Sequence, residues 1–152
     1  PIRPEDAIME REFVNGLSER SRYLRFMYAL QEISPETLSR FTQIDYDREM
    51  ALIAVAGPKD DEKIVGVARY YTLPDPKDCE FAIVVADDWQ HRGIGHILMR
   101  DLMDVARDRD LSEMEGQVLS NNSKMLELVQ TLGFKVSNSP DDPSIKQVVA
   151  RL

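Results

Sequence analysis

An apolar segment that runs into a glycine-containing turn is the feature that most constrains the fold of this chain. Residues 81–86 are all apolar, and the polar turn at residues 90–95 follows after three residues. Apolar residues at helical spacing then continue from Ile94 to Ala106. The sequence therefore predicts a buried strand, a tight turn and an amphipathic helix, in this order.

The start of that helix favours a ligand that carries phosphate. A helix N-terminus offers unpaired N–H groups and a partial positive charge. Glycines at positions 93 and 95 let an anion approach the backbone closely. The spacing excludes a dinucleotide fingerprint, because Leu98 stands where the third glycine is required, and a P-loop, because no Gly-Lys-Ser/Thr follows. A tight turn that binds no ligand is the alternative for the hexapeptide alone.

The turn has the pattern Gln/Arg-x-x-Gly-x-Gly/Ala and resembles the acetyl-CoA pyrophosphate loop of the GNAT N-acetyltransferases. Residues 122–134 resemble the late helix of that family, which opens on Asn and closes on Gly-Phe. Residues 2–7 resemble its first strand and the entry to its first helix. These similarities follow the family order and cover nearly the whole chain.

Two segments resemble one subfamily more closely. Residues 17–26 and 41–52 are similar to the GNAT module that is attached to an acyl-CoA-synthetase-like region in bacterial protein lysine acetyltransferases. The chain starts at Pro1 without an initiator Met. It is interpreted as a module of such a longer protein or as a free-standing relative.

Length and charge narrow the function classes. A chain of 152 residues predicts a single domain, residues 1–152. With 19 Lys and Arg against 27 Asp and Glu, the net charge is −8, which disfavours nucleic acid and favours a cationic amine acceptor. Solubility alone also accounts for that charge.

The apolar runs are too short for a membrane span. The single Cys79 and the lack of a targeting signal predict a cytoplasmic protein. The sequence gives no indication of whether the protein is a monomer or an oligomer.

The pattern of elements predicts an α+β fold. Strands are predicted at residues 50–56, 63–72, 80–86, 113–119, 134–137 and 145–152. Helices are predicted at residues 6–15, 19–29, 35–42, 93–109 and 123–132. A turn at residues 57–61 joins the first two of these strands as a hairpin. The resemblance implies the GNAT fold, a central mixed and mostly antiparallel twisted sheet flanked by helices.

The resemblance implies transfer of acetyl from acetyl-CoA to a lysine ε-amine of a protein, by direct attack and without a metal. The amine must lose a proton, and a positioned carboxylate can take it. Glu80 is the predicted base, because it matches the position of the catalytic glutamate of the subfamily. Asp78, Asp87 and Asp88 are the nearest rivals.

The resemblance also implies the cofactor contacts. Main-chain N–H groups of the key strand are expected at the pantetheine arm and the thioester carbonyl, at Ile83, Val84 and Val85. The pyrophosphate is expected to be surrounded by Gln90, His91, Arg92, Gly93, Ile94 and Gly95. Asn122 is interpreted either as a contact of the pantetheine arm or as a helix cap.

One position departs from the family pattern. Many GNAT enzymes carry a Tyr in the late helix that protonates the leaving thiolate, and here Val129 stands there. Water, Tyr70 or Tyr71 are the alternatives for this proton. Cys79 and His91 do not have the spacing of a recognisable catalytic dyad, so Cys79 is interpreted as a strand residue.

Residues 21–28 lie where the acceptor site of the family usually forms. Their spacing predicts Leu24, Met27 and Tyr28 inside and two arginines, Arg22 and Arg25, outside, whereas Tyr23 or Phe26 is expected to contact the acceptor. Two further interpretations stay open: acetylation of a small amine such as a polyamine or amino acid, and a regulatory domain that binds acyl-CoA without turnover.

Overall fold

The computed structural model of the protein describes residues 1–27 and 33–152. In these residues six strands form one sheet in the order β1-β2-β3-β4-β6-β5. They are β1 Glu49–Ala56, β2 Lys63–Thr72, β3 Asp78–Val85, β4 Glu113–Leu119, β5 Lys135–Asn138 and β6 Ile145–Arg151. The described helices are α1 Ala7–Gly16, α2 Glu19–Phe26, α3 Pro35–Thr42, α4 Ile94–Asp108 and α5 Ser123–Thr131, with short 3-10 turns at Pro4–Asp6 and Asp87–Trp89.

The predicted α+β class is confirmed. Strand pairs are antiparallel except β3 with β4, so the sheet is mixed and mostly antiparallel. The hairpin between β1 and β2 forms as predicted. Residues 28 and 29, the predicted end of the second helix, lie outside the described residues.

The expectation that residues 2–7 contain the family's first strand is wrong. Ile2 donates one main-chain hydrogen bond to the Ala51 carbonyl at 2.9 Å, but the chain then enters the 3-10 turn at Pro4. Proline has no N–H group and cannot donate to a strand ladder. The N-terminal residues therefore add a single contact to β1 and no further strand.

Helices cover both faces of the sheet. The alternation of side chains along β2 separates the two layers, because Ala68 and Tyr70 face α4 and α5 whereas Val67 faces α1. The larger core lies on the α4 side, where Met99, Leu102 and others pack against the strands. No helix among the described residues is long and apolar enough to cross a bilayer.

The sheet opens between its two parallel strands. β3 pairs with β4 only where residues 78–80 meet residues 113–115, whereas β3 stays paired with β2 as far as Val85. Gly116 lies at the point of divergence, beside the ring of Phe81. A Cβ at Gly116 would come within 2.5 Å of that ring, so the packing there requires glycine. A wedge therefore forms between β3 and β4.

Candidate active site

A cavity of about 1100 Å³ begins in this wedge and extends beneath α2 and α3. The structure brings nearly all of the predicted site residues to it. Those that line it are Glu80, Ile83, Val84, Val85, Gln90, His91, Gly93, Ile94, Gly95 and Asn122. Arg92 is the exception: it is exposed, and its guanidinium lies 4.8 Å from the centre of the Trp89 ring.

The main chain of β3 presents hydrogen-bonding groups to the wedge. Ala86 donates to the Val65 carbonyl at 2.8 Å, which fixes the alternation of the β2–β3 ladder. By that alternation the main-chain groups of Val84 face β2, and those of Ile83 and Val85 face the wedge. The Gln90 side-chain amide donates to the Val85 carbonyl at 3.0 Å, on the wedge side. The N–H groups of Ile83 and Val85 thus point to where β4 would otherwise pair.

The turn before α4 forms a cradle for an anion. His91 and Gly93 have positive φ values of 64° and 83°, and α4 begins directly afterwards. No side chain in the described part of the chain caps this helix start. A Cβ on Gly93 would meet no atom within 4 Å, whereas one on Gly95 would lie 3.3 Å from Leu128 Cδ2. Unpaired N–H groups beside open space are what a diphosphate requires.

Lys124 is a site residue that the sequence reasoning missed. Its Nζ lies 2.8 Å from Nε2 of His91, and both residues line the cavity. Its only sequence signal is its place in the first turn of α5, two residues after the predicted site residue Asn122. The pair puts positive charge at the anion cradle of a chain whose net charge is −8.

Asn122 caps α5, because its Oδ1 accepts from the Met125 N–H at 3.4 Å. The capping interpretation is therefore confirmed. The side chain also belongs to the cavity wall.

Glu80 lies at the base of the wedge in a row of polar side chains that crosses the sheet. It is half-buried, and the Tyr71 hydroxyl donates to its Oε2. On the other side Glu80 is in register with Glu115 of β4. Partial burial raises the pKa of Glu115, and the charges of Glu80 and Asp78 raise it further. Glu80 is the member of this acidic group that reaches the cavity.

The rival carboxylates are placed differently. Asp78, at the start of β3, is in register with Glu113 of β4. Asp88 is exposed in the 3-10 turn. Asp87 also lines the cavity, but its carboxylate accepts from the Ser21 hydroxyl at 2.6 Å. Burial acts to raise the pKa of Asp87, but hydrogen bonds from Ser18 and Ser21 outweigh it and hold that pKa below its usual value. Asp87 therefore connects α2 to the turn.

The candidate proton donors are now distinguished by position. Val129 is fully buried in the core and carries no proton to give. Tyr70 is also buried, and its hydroxyl lies 3.3 Å from Arg109 Nη1 on the α4 side. Tyr71 faces Glu80 on the opposite side. Burial raises the pKa of the Cys79 thiol to about 12, so this residue stays protonated and unreactive.

Helix α2 forms one wall of the cavity, which corrects the expected placement of four residues. Arg25 is half-buried and not outside, because its guanidinium lies 4.7 Å from the centre of the Phe26 ring. Arg22 is half-buried as well. Leu24 and Met27 are only half-buried, because they line the cavity.

The expected aromatic contacts of the acceptor are placed in different environments. Phe26 stacks on Phe41 with centroids 6.1 Å apart and lines the cavity, whereas Tyr23 is 45% exposed outside it. Tyr28 lies outside the described residues. Within residues 1–27 and 33–152, no group of three or more His, Cys, Asp or Glu residues is arranged to hold a metal.

Comparisons with known proteins identify the family of the chain. Residues 18–134 match the model of the Acetyltransferase (GNAT) family. An acetyltransferase of Pseudomonas aeruginosa is 38% identical over 152 residues, which are 100% of this chain and 81% of that protein. The GNAT domain of S. lividans PAT matches with a TM-score of 0.92 at 25% identity, covering 100% of this chain and 88% of that chain.

A further solved structure shares the fold. The PaiA N-acetyltransferase of Thermoplasma acidophilum, in complex with coenzyme A, matches with a TM-score of 0.76 at 18% identity, covering 99% of this chain and 96% of that chain. The family model spans most of the chain, and the P. aeruginosa relative matches its whole length. The chain therefore belongs to the GNAT acetyltransferase family and is an acetyl-CoA-dependent N-acetyltransferase.

Proposed function

We propose that this enzyme acetylates the ε-amino group of a protein lysine, with Glu80 as the general base. The observation that carries the assignment of the base is the position of Glu80, a carboxylate in the cavity wall where β3 leaves β4. The likeness to the GNAT domain of S. lividans PAT supports a protein acceptor. So does the similarity of residues 17–26 and 41–52 to the module of bacterial protein lysine acetyltransferases.

The cosubstrate is proposed to lie along the wedge. The N–H groups of Ile83 and Val85 would bind the pantetheine arm and the thioester carbonyl, and the side of Val84 that meets the cavity would add apolar contact. The diphosphate would lie on the main chain of the turn from Gln90 to Gly95. The complex of the T. acidophilum relative with coenzyme A agrees with this ligand class.

Each residue around the anion cradle would make a different contact with the rest of the cofactor. Lys124 would supply positive charge to the phosphates, His91 would orient the lysine by accepting its hydrogen bond at Nε2, and Ile94 would supply the first main-chain N–H of α4. Arg92 would meet the outer, solvent-exposed side of the same ligand. Asn122 would contact the pantetheine arm while it caps α5.

The chemistry that these groups perform follows from the protonation of the acceptor. A lysine amine has a pKa of about 10.4, so it is mostly protonated at neutral pH. Glu80 would take its proton, directly or through water, and the neutral nitrogen would then attack the thioester carbon. The N–H groups that face the wedge would stabilise the negative charge that develops on the carbonyl oxygen. The C–S bond would break as the amide forms, and coenzyme A would leave as a thiolate that takes up a proton from water.

The first test replaces Glu80 by Gln. Acetyl-CoA affinity, measured by calorimetry, should stay within about twofold, because the diphosphate site is untouched. The rate of transfer at pH 7 should fall by about 10²-fold or more, which is the usual contribution of a general base. Glu115→Gln is the matched control, because this neighbouring carboxylate lies outside the cavity wall. Full turnover of the Glu80→Gln enzyme would remove Glu80 from the mechanism.

A small amine is the second candidate acceptor. The cavity continues beneath α2 and α3 past Phe26 and Phe41, which gives room for a compact substrate. Coenzyme A release should be followed with lysine-containing proteins, polyamines and free amino acids. Mass spectrometry of modified lysates then identifies protein targets. Turnover with free amines alone would favour the second candidate. Membership of an enzyme family favours either acceptor over a non-catalytic binding domain.

We infer also that residues 1–152 form one acetyltransferase domain of a bacterial protein, of the type attached to an acyl-CoA-synthetase-like region. A single sheet that runs through the described residues supports one domain. The buried free Cys79 agrees with a reducing, cytoplasmic location. Fractionation of source cells with an antibody to this domain tests both the length of the parent protein and its compartment.

A further inference from the structure

We propose that Tyr71 is the positioning residue of the general base, holding one oxygen of the Glu80 carboxylate so that the other oxygen is presented to the acceptor amine. The inference rests on the proposed role of Glu80. It assigns to Tyr71 a task other than protonation of the leaving thiolate.

The placement of Tyr71 in the sheet carries the proposal. Tyr71 of β2 is directly opposite Glu80 of β3, and both side chains project from the same face of the sheet. The Tyr71 hydroxyl donates to Glu80 Oε2. Across the sheet the order is Tyr71, Glu80, Glu115, so the tyrosine lies on the side of the base that is farther from the wedge.

The hydrogen bond prepares Glu80 before the acceptor arrives. A glutamate side chain has several rotatable bonds, and a fixed donor removes most of that freedom in advance. With Oε2 held by the Tyr71 hydroxyl, the other carboxylate oxygen is the one that is presented to the acceptor amine.

The acidity of Tyr71 itself argues against a role as proton donor to sulfur. Partial burial raises the pKa of the Tyr71 phenol above its usual value, and the hydrogen bond to Glu80 raises it further. A phenol with a raised pKa is a poor donor to a thiolate. It remains a reliable hydrogen-bond donor over the whole working pH range.

Several charged groups surround the pair. Glu49 of β1 is opposite Tyr71, and Glu115 of β4 is opposite Glu80. Asp78 lies two residues before Glu80 on β3. Arg25 of α2 supplies positive charge that acts on Tyr71. In this acidic setting, a neutral donor that stabilises a further negative charge has a large effect on the base.

The test is Tyr71→Phe, compared with Tyr70→Phe. Phenylalanine keeps the ring and removes the donor. We expect kcat to fall about tenfold, the loss that follows removal of one hydrogen bond to a charged group. The KM for the acceptor and the affinity for acetyl-CoA should change less than about twofold, because neither ligand is held by the Tyr71 hydroxyl in this proposal.

The split between kcat and KM separates positioning from a structural role. Loss of a purely structural contact lowers stability and the amount of folded enzyme, whereas loss of the positioning contact lowers the kcat of the folded enzyme at nearly unchanged KM. Tyr70→Phe also removes a hydroxyl contact, to Arg109 on the other side of the sheet, and should lower stability without this split.

A double variant decides whether Tyr71 acts through Glu80. In the Glu80→Gln enzyme, Tyr71→Phe should cause no further loss of rate. A further tenfold loss there would overturn the proposal, because Tyr71 would then act on another group. An unchanged kcat in the single variant would overturn it as well. Failure of the proposed base is a separate outcome, seen as full activity of Glu80→Gln.

Discussion

Gly93 shows how much of the proposed cofactor site depends on a single residue. Its φ of 83° is a conformation that L-residues rarely adopt, and the space around it is open to the cavity. An alanine there introduces backbone strain of about 1 kcal/mol or more and places a methyl group beside the helix start. Because the diphosphate must approach this backbone closely, we expect Gly93→Ala to weaken acetyl-CoA binding by about tenfold.

Gly133 provides the matched control for this variant. It has a φ of 92° and the same open surroundings, but it lies at the end of α5, outside the cavity wall. Gly133→Ala should lower the free energy of unfolding by a similar amount and leave acetyl-CoA affinity unchanged. Thermal unfolding and calorimetry on the two variants measure both effects. Equal affinities would show that close approach at Gly93 is not required.

Among single residues, sequence reasoning performed best where the signal is local. The turn from Gln90 to Gly95 was found from spacing within six residues, and the structure places all but Arg92 of it at the cavity. Lys124 was missed because its contact with His91 joins positions 33 residues apart. Such a contact depends on the packing of α5 beside the turn, which no local pattern encodes.

Asp87 couples two elements, α2 and the turn before α4. Its carboxylate accepts from Ser21 at the start of α2, where a negative charge also favours the helix dipole. We expect Asp87→Ala to lower the free energy of unfolding by about 1 kcal/mol, as loss of a helix cap does. Because α2 lines the acceptor side of the cavity, the acceptor KM should rise and acetyl-CoA affinity should stay unchanged.

The pH dependence of this variant has a defined sign. The pKa of Asp87 is lowered in the folded state, so its stabilisation is present above the unfolded pKa of about 3.9 and is lost as pH falls further. The stability difference between wild type and Asp87→Ala should therefore shrink below about pH 4 in urea titrations. Asp88→Ala, at the exposed neighbour, should show neither effect. A constant difference down to pH 3 would contradict the assignment.

Glu10 and Arg69 connect α1 to β2 through a buried ion pair. Glu10 Oε1 lies 3.4 Å from Arg69 Nη2, and the side chains are 3% and 13% exposed. Burial raises the pKa of Glu10, an effect that Arg69 only partly offsets. Arg69 also donates to the Phe41 carbonyl at 3.2 Å. The pair therefore fixes the position of the helices over the sheet at a considerable cost of desolvation.

Removing one partner should be worse than removing both. Glu10→Ala leaves Arg69 buried without its counter-charge and should lower the free energy of unfolding by about 3 kcal/mol. Glu10→Leu combined with Arg69→Met should recover most of that loss, because two apolar side chains need no counter-charge. Denaturant titrations of the three proteins measure this. A double variant less stable than Glu10→Ala would contradict the argument.

At the element scale, the bounds of the strands and helices were largely predictable from the sequence, whereas the divergence of β3 from β4 was not. Hydrophobic periodicity and turn residues located β2, β4 and α3 at their observed bounds. The wedge between β3 and β4 gives no periodic signal. It follows from the packing of the Phe81 ring against Gly116, a contact between strands that are distant in the chain. The Tyr71–Glu80 contact likewise depends on a register that the loop between β2 and β3 sets.

The whole molecule combines an acidic chain with a proposed cofactor site that is locally basic. The net charge is −8, yet His91 and Lys124 stand together beside the unpaired N–H groups of α4. A short-range basic patch suffices for a phosphate ligand that makes direct contact. The remaining field of the protein is negative and acts at longer range, on whatever approaches the acceptor side.

This field should make acceptor capture depend on salt according to the charge of the acceptor. We expect kcat/KM for a lysine peptide flanked by arginines to fall several-fold as ionic strength rises from about 0.02 M to about 0.3 M, because the Debye length shortens from roughly 20 Å to roughly 6 Å. The same lysine flanked by aspartates should react faster as salt rises, since its repulsion is screened. A peptide with neutral flanks is the control and should change little. If the two charged peptides respond alike, the field of the acidic chain does not select the acceptor, and selection then lies in the contacts of the cavity beneath α2 and α3.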